Sequence, residues 1–212
     1  MSSYEERLAG IRNFPADVTK EKLRPHLGVF EHAGLIPYES WAESGIKVVI
    51  FDKDSTITDF NKPTLVPQVL ASMPDNFNEL FEGYAIGSNN SDREKVDRFE
   101  YDFKSVLSLP KKKILSVCKA DYFNGNLVKG KPDPQMGYII ADYFGVNPWQ
   151  IGVVGDRFWS DTRFAINMGA GEIAQCGKVG EGDIPLGRSI RLGERALLGY
   201  FIHQGYFSNS NL

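Results

Sequence analysis

The sequence predicts an α/β fold, a doubly wound and mostly parallel sheet, on three observations. Short β-branched runs alternate with amphipathic segments of helical spacing, the pattern of βαβ units. The runs are mostly apolar, as strands covered on both faces are. No repeat, low-complexity tract or Gly/Ser-rich linker divides the 212 residues, so one domain spanning 1–212 is expected. At this length roughly 70% of the unfolded chain's surface can be buried without disulfide or metal staples.

The elements follow in order. Residues 1–45, punctuated by Pro15, Pro25 and Pro37, are less regular and are expected to pack onto the core as an N-terminal extension. Ile46 to Phe51 reads as a buried strand, and Tyr84 to Gly87 as a weaker one. Ser91-x-x-Glu94 has the form of a capping box, opening a helix to about residue 109 with Val96, Phe99, Phe103, Val106 and Leu107 on its apolar stripe. Asp133-Pro134 is a cap with proline at the first helical position, leading into Met136, Ile139, Ile140 and Tyr143, with Gly145 as the stop. Ile151 to Gly155 is a second apolar strand. A helix from Ser160 to near Gly169 precedes a weak strand signal at Glu172 to Cys176.

Composition narrows the function classes. The formal net charge is −3 and the pI near 5.7, which gives no basic footprint for nucleic acid. Cys118 and Cys176 are too few for a disulfide framework and lack the spacing of a zinc or redox site. No apolar run approaches the ~20 residues of a membrane span. The first ten residues show neither a hydrophobic signal nor an acid-poor, Arg-rich presequence, so the expectation is that the protein stays where it is made or carries an atypical or removed leader.

In doubly wound sheets the ligand site lies outside the carboxyl ends of the strands, so the residues just after each strand carry the functional argument. The first strand runs into Asp52-Lys53-Asp54-Ser55-Thr56. Carboxylates at i and i+2 on an extended chain point the same way, and a divalent cation with hard oxygen ligands offsets their repulsion. Read alone, the pair is equally a turn. A second strand ends in Gly155-Asp156, with Asp161 five residues on; a third delivers Ser88-Asn89-Asn90, whose hydroxyl and backbone N–H groups suit phosphate oxygens. Lys131, before the proline-started helix, could balance the carboxylates, although a lone lysine is usually a solvated surface residue.

Asp-x-Asp-x-Thr, then Ser, then Lys, then Gly-Asp-x4-Asp, in that order, resembles the haloacid dehalogenase (HAD) superfamily of phosphohydrolases. The match rests on Asp52 to Thr56, Ser88, Lys131 and Gly155 to Asp161. The flanks Leu23-Arg-Pro-His-Leu27, Ile36-Pro37 and Gly193-Glu-Arg-Ala-Leu-Leu198, together with Lys53, are similar to the phosphatidylglycerophosphate phosphatase branch of fungal and plant mitochondria. The resemblance implies a Rossmann-like core. It makes Asp52 the nucleophile forming an aspartyl-phosphate, and Asp54 the general acid and then base. Ser88, Asn89 and Lys131 would hold the phosphoryl group. Mg²⁺ would bind Asp52, the main-chain carbonyl of Asp54 and Asp156, with Asp161 and Thr56 outside the first ring of ligands or Asp161 as an alternative ligand.

The intervals from Asp54 to Ser88 and from Ser88 to Lys131 hold a helix with its connections but not a separate cap domain. Uncapped members of the superfamily tend to act on large or surface-bound phosphates. The branch implies removal of the terminal phosphate of phosphatidylglycerophosphate, giving phosphatidylglycerol for cardiolipin. It also implies an anionic phospholipid substrate met peripherally on the matrix face of the mitochondrial inner membrane, a cytoplasmic phosphatase being the alternative. Lys111 to Lys113 could approach an anionic bilayer or simply be solvated. Phe158 and Trp159 could be interfacial anchors or core. Two readings compete with a lipid phosphatase: a HAD phosphatase for a soluble nucleotide, sugar phosphate or phosphoprotein, and a non-catalytic phospho-acceptor like a receiver domain.

Overall fold

The computed structural model describes residues 27–109 and 114–181, and within the C-terminal segment residues 191–194, 196, 199, 200 and 203. Six strands form one sheet, all parallel: β1 (Leu27–Phe30), β2 (Val48–Phe51), β3 (Gly83–Ser88), β4 (Ile114–Cys118), β7 (Ile151–Gly155) and β8 (Glu172–Cys176). Their spatial order is β1-β8-β7-β2-β3-β4. Between β4 and β7 a separate two-stranded antiparallel hairpin comprises β5 (Tyr122–Phe123) and β6 (Asn126–Leu127).

From β2 the chain builds outward through β3 to β4, then returns to the other side of β2 with β7, β8 and, from the N-terminal side, β1. The order therefore reverses between β2 and β7. That is the switch point, where flanking connections diverge and leave a crevice beyond the strand ends. Register puts the two ends level: Phe51 pairs with Val154, and the Asp52 N–H donates to Val154 O at 2.8 Å.

The period-2 alternation of the strands feeds two cores, one on each face. Val49, Phe51, Tyr84 and Ile86 face a layer rich in aromatics: Tyr38 and Trp41 of α1 (Tyr38–Glu43), Phe77 of α3 (Phe77–Leu80), and Phe99 and Phe103 of α4 (Arg93–Val106). Tyr38 and Phe77 meet edge to face at 4.8 Å, and the Tyr38 hydroxyl donates to Ala33 O at 2.8 Å, so this buried phenol is satisfied. Val48, Ile50, Ala85 and Val153 face Met136 and Ile140 of α5 (Gln135–Phe144) and Phe164 and Met168 of α6 (Arg163–Met168).

Several details depart from the sequence reading. Part of the N-terminal extension is itself an edge strand: β1 pairs in register with β8, from Leu27↔Ile173 to Phe30↔Cys176. The first strand is shorter than read, starting at Val48. Helix α4 is capped by Asp92, which accepts from the Lys95 N–H at 3.3 Å, one residue later than the Ser91 box. Of its stripe, Val96, Phe99 and Phe103 are buried, while Val106 is exposed because the helix ends there. Helix α5 starts one residue after Pro134, with the Asp133 carboxylate accepting from the Gln135 N–H at 3.0 Å, and ends at Gly145 with φ 65°. The helix read from Ser160 instead begins as a wide π turn, Phe158–Thr162, that passes into α6. Phe158 is 1% exposed and belongs to the core, which rules it out as an interfacial anchor; Trp159 is half-buried against the same cluster. Short helices α1, α2 (Pro67–Ala71) and α3 lie in stretches the sequence left unassigned. The Lys111–Lys113 triplet lies outside the described residues. Among the described residues no inserted cap domain interrupts the strands, and no helix is long and apolar enough to cross a membrane.

Candidate active site at the strand ends

The site begins at the switch point. Asp52 leaves β2 directly beside Val154, and Gly155-Asp156 leaves β7 next to it. Gly155 is required by a close approach: a Cβ there would fall 2.2 Å from the Asp161 Cβ. The π turn folds back over this glycine, and the Asp161 carboxylate accepts from the Arg157 N–H at 3.0 Å. The result is a carboxylate cluster. Asp52, Asp156 and Asp161 each offer an oxygen, and these oxygens all lie within 4.8 Å of one another.

Lys131 answers this charge. Its Nζ lies 2.6 Å from Asp52 Oδ1 and 2.5 Å from Asp161 Oδ1, with its side chain 3% exposed. Burial by itself lowers an ammonium's pKa, but Asp161 and Asp52 outweigh it and hold Lys131 above its ordinary value, so it stays cationic. The lysine is aimed by Asn89: Asn89 Oδ1 accepts from the Lys131 N–H at 2.7 Å, and Asn89 Nδ2 donates to Lys131 O at 3.1 Å. Asn89, read from sequence as a phosphate ligand, thus has its side chain committed at both ends to the Lys131 backbone. Its main-chain N–H is the atom left for that role. Ser88, buried at the end of β3, has its hydroxyl accepting from the Asn90 N–H at 3.1 Å, which leaves the hydroxyl proton for another acceptor.

Thr56 bridges the two strand ends, its hydroxyl 3.2 Å from Asp156 Oδ1 and 3.4 Å from Asp52 Oδ2. It reaches inward because the chain turns back sharply at Ser55, whose φ of 69° is left-handed. The loop that follows is pinned by the Asp54–Thr58 and Thr58–Leu65 bridges and, to the segment after β8, by Val179 N–H donating to Ser55 O at 2.8 Å.

Asp54 sits apart from the other carboxylates. Its Oδ1 accepts from Lys53 Nζ at 2.6 Å and from the Asn61 N–H at 2.8 Å. Lys53 is buried, donates also to Lys62 O at 3.0 Å, and lies 5.7 Å above the Phe99 ring. The residue between the two aspartates therefore anchors the second of them. The metal contact that the resemblance implies for Asp54 runs through its main-chain carbonyl, and its carboxylate points elsewhere.

Two residues that the sequence singled out only as part of a loose C-terminal motif, or not at all, also reach the site. Arg191 Nη1 forms an ion pair with Asp156 Oδ2. Glu194, buried, accepts from the Trp159 N–H at 3.0 Å and pairs with Arg157 at 3.7 Å, tying the C-terminal segment to the π turn. Burial, together with the Asp52 charge, pushes Asp156 up to about 7 even though Arg191 pulls it down. The buried carboxylates of Asp156 and Asp161 and the partly buried one of Asp52, facing a lysine and an arginine, form an all-oxygen donor set whose charge is incompletely offset. That set fits a hard divalent cation, with Asp52 and Asp156 at its centre and Asp161 within reach.

Comparison with known proteins supplies the context. No curated protein matches the sequence. An uncharacterised protein from Corynebacterium glutamicum is similar at 15% identity and a TM-score of 0.40, covering 74% of this chain and 93% of that one. A HAD family hydrolase from Deinococcus radiodurans, solved with bound phosphate and sodium, is similar at 15% identity and a TM-score of 0.39, covering 74% of this chain and 96% of that one. A profile of the mitochondrial PGP phosphatase family matches residues 10–177, which takes in every strand-end motif described above. With most of its length matched in this way, the chain belongs to the mitochondrial PGP phosphatase family, the branch of HAD phosphatases that its sequence motifs resemble.

Proposed function

We propose that the protein is an Mg²⁺-dependent phosphatase that hydrolyses phosphatidylglycerophosphate to phosphatidylglycerol through an aspartyl-phosphate on Asp52. The observation that carries this reading is the Asp52 carboxylate, held 2.6 Å from a buried lysine at the mouth of the crevice between β2 and β7. That lysine orients the nucleophile, and it is positioned to draw charge from a phosphoryl group approaching Asp52.

In the first displacement an Asp52 oxygen bonds to phosphorus as the bond from phosphorus to the glycerol oxygen breaks, and Asp54 gives that oxygen its proton. In the second, Asp54 takes a proton from water, the water oxygen bonds to phosphorus, and the bond to Asp52 breaks to release inorganic phosphate. The Lys53 and Asn61 contacts fix Asp54 on the loop, separate from the cluster, as a group that exchanges protons must be. Ser88 Oγ, the Asn89 N–H and Lys131 would receive the phosphoryl oxygens. When bound by Asp52, Asp156 and the Asp54 carbonyl, with Asp161 as an alternative, Mg²⁺ supplies charge neutralisation at those oxygens. A site of this kind inside mitochondria would meet its substrate on the inner membrane's matrix face.

The test is phosphate release from phosphatidylglycerophosphate micelles, a nucleotide and a sugar phosphate, each with Mg²⁺ and with chelator. Release from the lipid in Mg²⁺, loss in chelator, and loss in Asp52→Asn and Asp54→Asn with unchanged circular dichroism are the expected results. Faster release from a soluble phosphate than from the lipid would replace the substrate assignment. Full turnover by Asp54→Asn would remove the acid–base role.

A further inference from the structure

We infer that Lys119 binds a second anion of the substrate, a phosphodiester one glycerol unit away from the phosphoryl group at Asp52; this deepens the proposed reading of the site and rests on it.

Phosphatidylglycerophosphate carries two phosphates, the terminal monoester that is removed and the diester that remains. Ser88 Oγ, the Asn89 N–H and Lys131 are engaged with the oxygens of the first. The second enters a crevice bordered by the carboxylates of Asp52, Asp54, Asp156 and Asp161, which repel it. It therefore needs a cation on the rim, near Ser88 and Asn89 and not already neutralised.

The end of β4 supplies one. Cys118 stands opposite Ser88, so Lys119 is the first residue beyond the sheet at the edge that carries the candidate phosphoryl ligands. A turn fixes its backbone: the Asp121 N–H donates to Cys118 O at 3.1 Å, and the Asp121 carboxylate accepts from the Cys118 N–H at 2.8 Å. The half-buried side chain lies over Gly130, where a Cβ would fall 2.6 Å from Lys119 Cδ and 2.7 Å from Asn89 Oδ1. The absence of a side chain at Gly130 is what leaves room for the lysine stem. Its Cδ is thus packed beside the same Asn89 oxygen that accepts from the Lys131 N–H at 2.7 Å.

Charge sets Lys119 apart from the other basic residues of this edge. Lys95 pairs with Asp92 at 3.4 Å and Lys129 with Asp133 at 3.6 Å. Arg93 is shared among Asp97 at 2.5 Å, Asp121 at 3.0 Å and Glu100 at 3.9 Å. Among the described residues, Lys119 has no carboxylate within ion-pair distance. A lysine with a packed stem and an uncompensated ammonium can pair with an anion without first giving up a carboxylate, and it loses less rotamer freedom in doing so than a fully solvated one.

The experiment compares the wild type with Lys119→Gln and Lys119→Arg on two soluble substrates in Mg²⁺: glycerophosphoglycerophosphate, which is the headgroup with its diester, and glycerol 3-phosphate, which lacks the diester. The wild type is expected to prefer the first in kcat/KM. Lys119→Gln should reduce that preference about tenfold, chiefly through KM, and Lys119→Arg should restore most of it. An unchanged preference in Lys119→Gln overturns the inference. So does an equal loss on both substrates, which would mean that the lysine only braces Asn89. A second measurement is independent of turnover: calorimetric titration of Asp52→Asn, with and without Lys119→Gln, by glycerophosphoglycerophosphate. Binding about tenfold weaker in the double variant supports the diester site even if the wild type releases no phosphate from either substrate, a result that would remove the phosphatase reading alone; equal binding overturns the site.

Discussion

Arg191 occupies one oxygen of a carboxylate that a divalent cation would need, and the two cations would compete for it. Its guanidinium pairs with Asp156 Oδ2 while Thr56 holds Oδ1, so both faces of this carboxylate are engaged. Asp161 and Asp52 share the Lys131 ammonium in the same way. Of these partners Arg191 is the one supplied from the C-terminal segment instead of a strand end. Its removal takes a positive charge from the cluster and frees an oxygen without touching the nucleophile. Arg191→Gln should accordingly bind Mg²⁺ more tightly than the wild type, by about tenfold if one close charge pair is exchanged. Calorimetric titration at pH 8 reads this directly and does not depend on turnover; weaker binding by the variant would make Arg191 a support for the cation and not its competitor.

The π turn at Phe158–Thr162 is the element on which the carboxylate cluster depends, because it returns Asp161 over the end of β7. A regular helix from Ser160 would not place that carboxylate against Gly155. Gly155→Ala puts a methyl 2.2 Å from the Asp161 Cβ, inside any tolerable contact and against a turn held by Arg157 and Glu194. The variant is expected to keep its far-ultraviolet circular dichroism, since the sheet's hydrogen bonds are unaffected. It should lose phosphatase activity and metal affinity together, by about a hundredfold for an ångström-scale displacement; retained activity would show that Asp161 is dispensable. Elements of this kind mark the boundary of what the sequence reveals. Strands β2 and β7 announce themselves by short apolar runs rich in β-branched residues, and Asp52, Lys131, Asp156 and Asp161 from separate motifs meet at one site. The π turn, the four-residue β1 and helices α1 to α3 do not, because they are too short to establish a period and are held by tertiary contacts. At the hairpin's turn Asn124-Gly125 is a strong local signal in the sequence. The pairing of the Asn89 amide with the Lys131 backbone, 42 residues away, leaves no local trace in the sequence.

At the scale of the whole molecule, acidic groups buried on folding make stability depend on pH. Glu172, at the start of β8 and partly buried, is pushed up to about 7 by that burial, from an ordinary value of 4.5. A carboxyl raised in the folded state keeps its proton there at pH values where the unfolded chain has already released it. Its contribution is therefore fully present below the unfolded value and is lost as pH rises through the window from about 4.5 to about 7. Above that window the folded protein carries a desolvated charge that the unfolded chain keeps hydrated. Glutamine has nearly the same shape and no charge to desolvate, so Glu172→Gln removes the penalty without opening a cavity. The residue opens the β7–β8 pairing, opposite Gly152, at the end of the sheet away from the site and on a strand that carries none of the candidate catalytic groups. The variant should melt at a higher temperature than the wild type at pH 8 and at nearly the same temperature at pH 4, in chelator so that the metal site does not contribute. An increment of equal size at both pH values would mean that Glu172 acts through its shape or its hydrogen bonds and not through its charge.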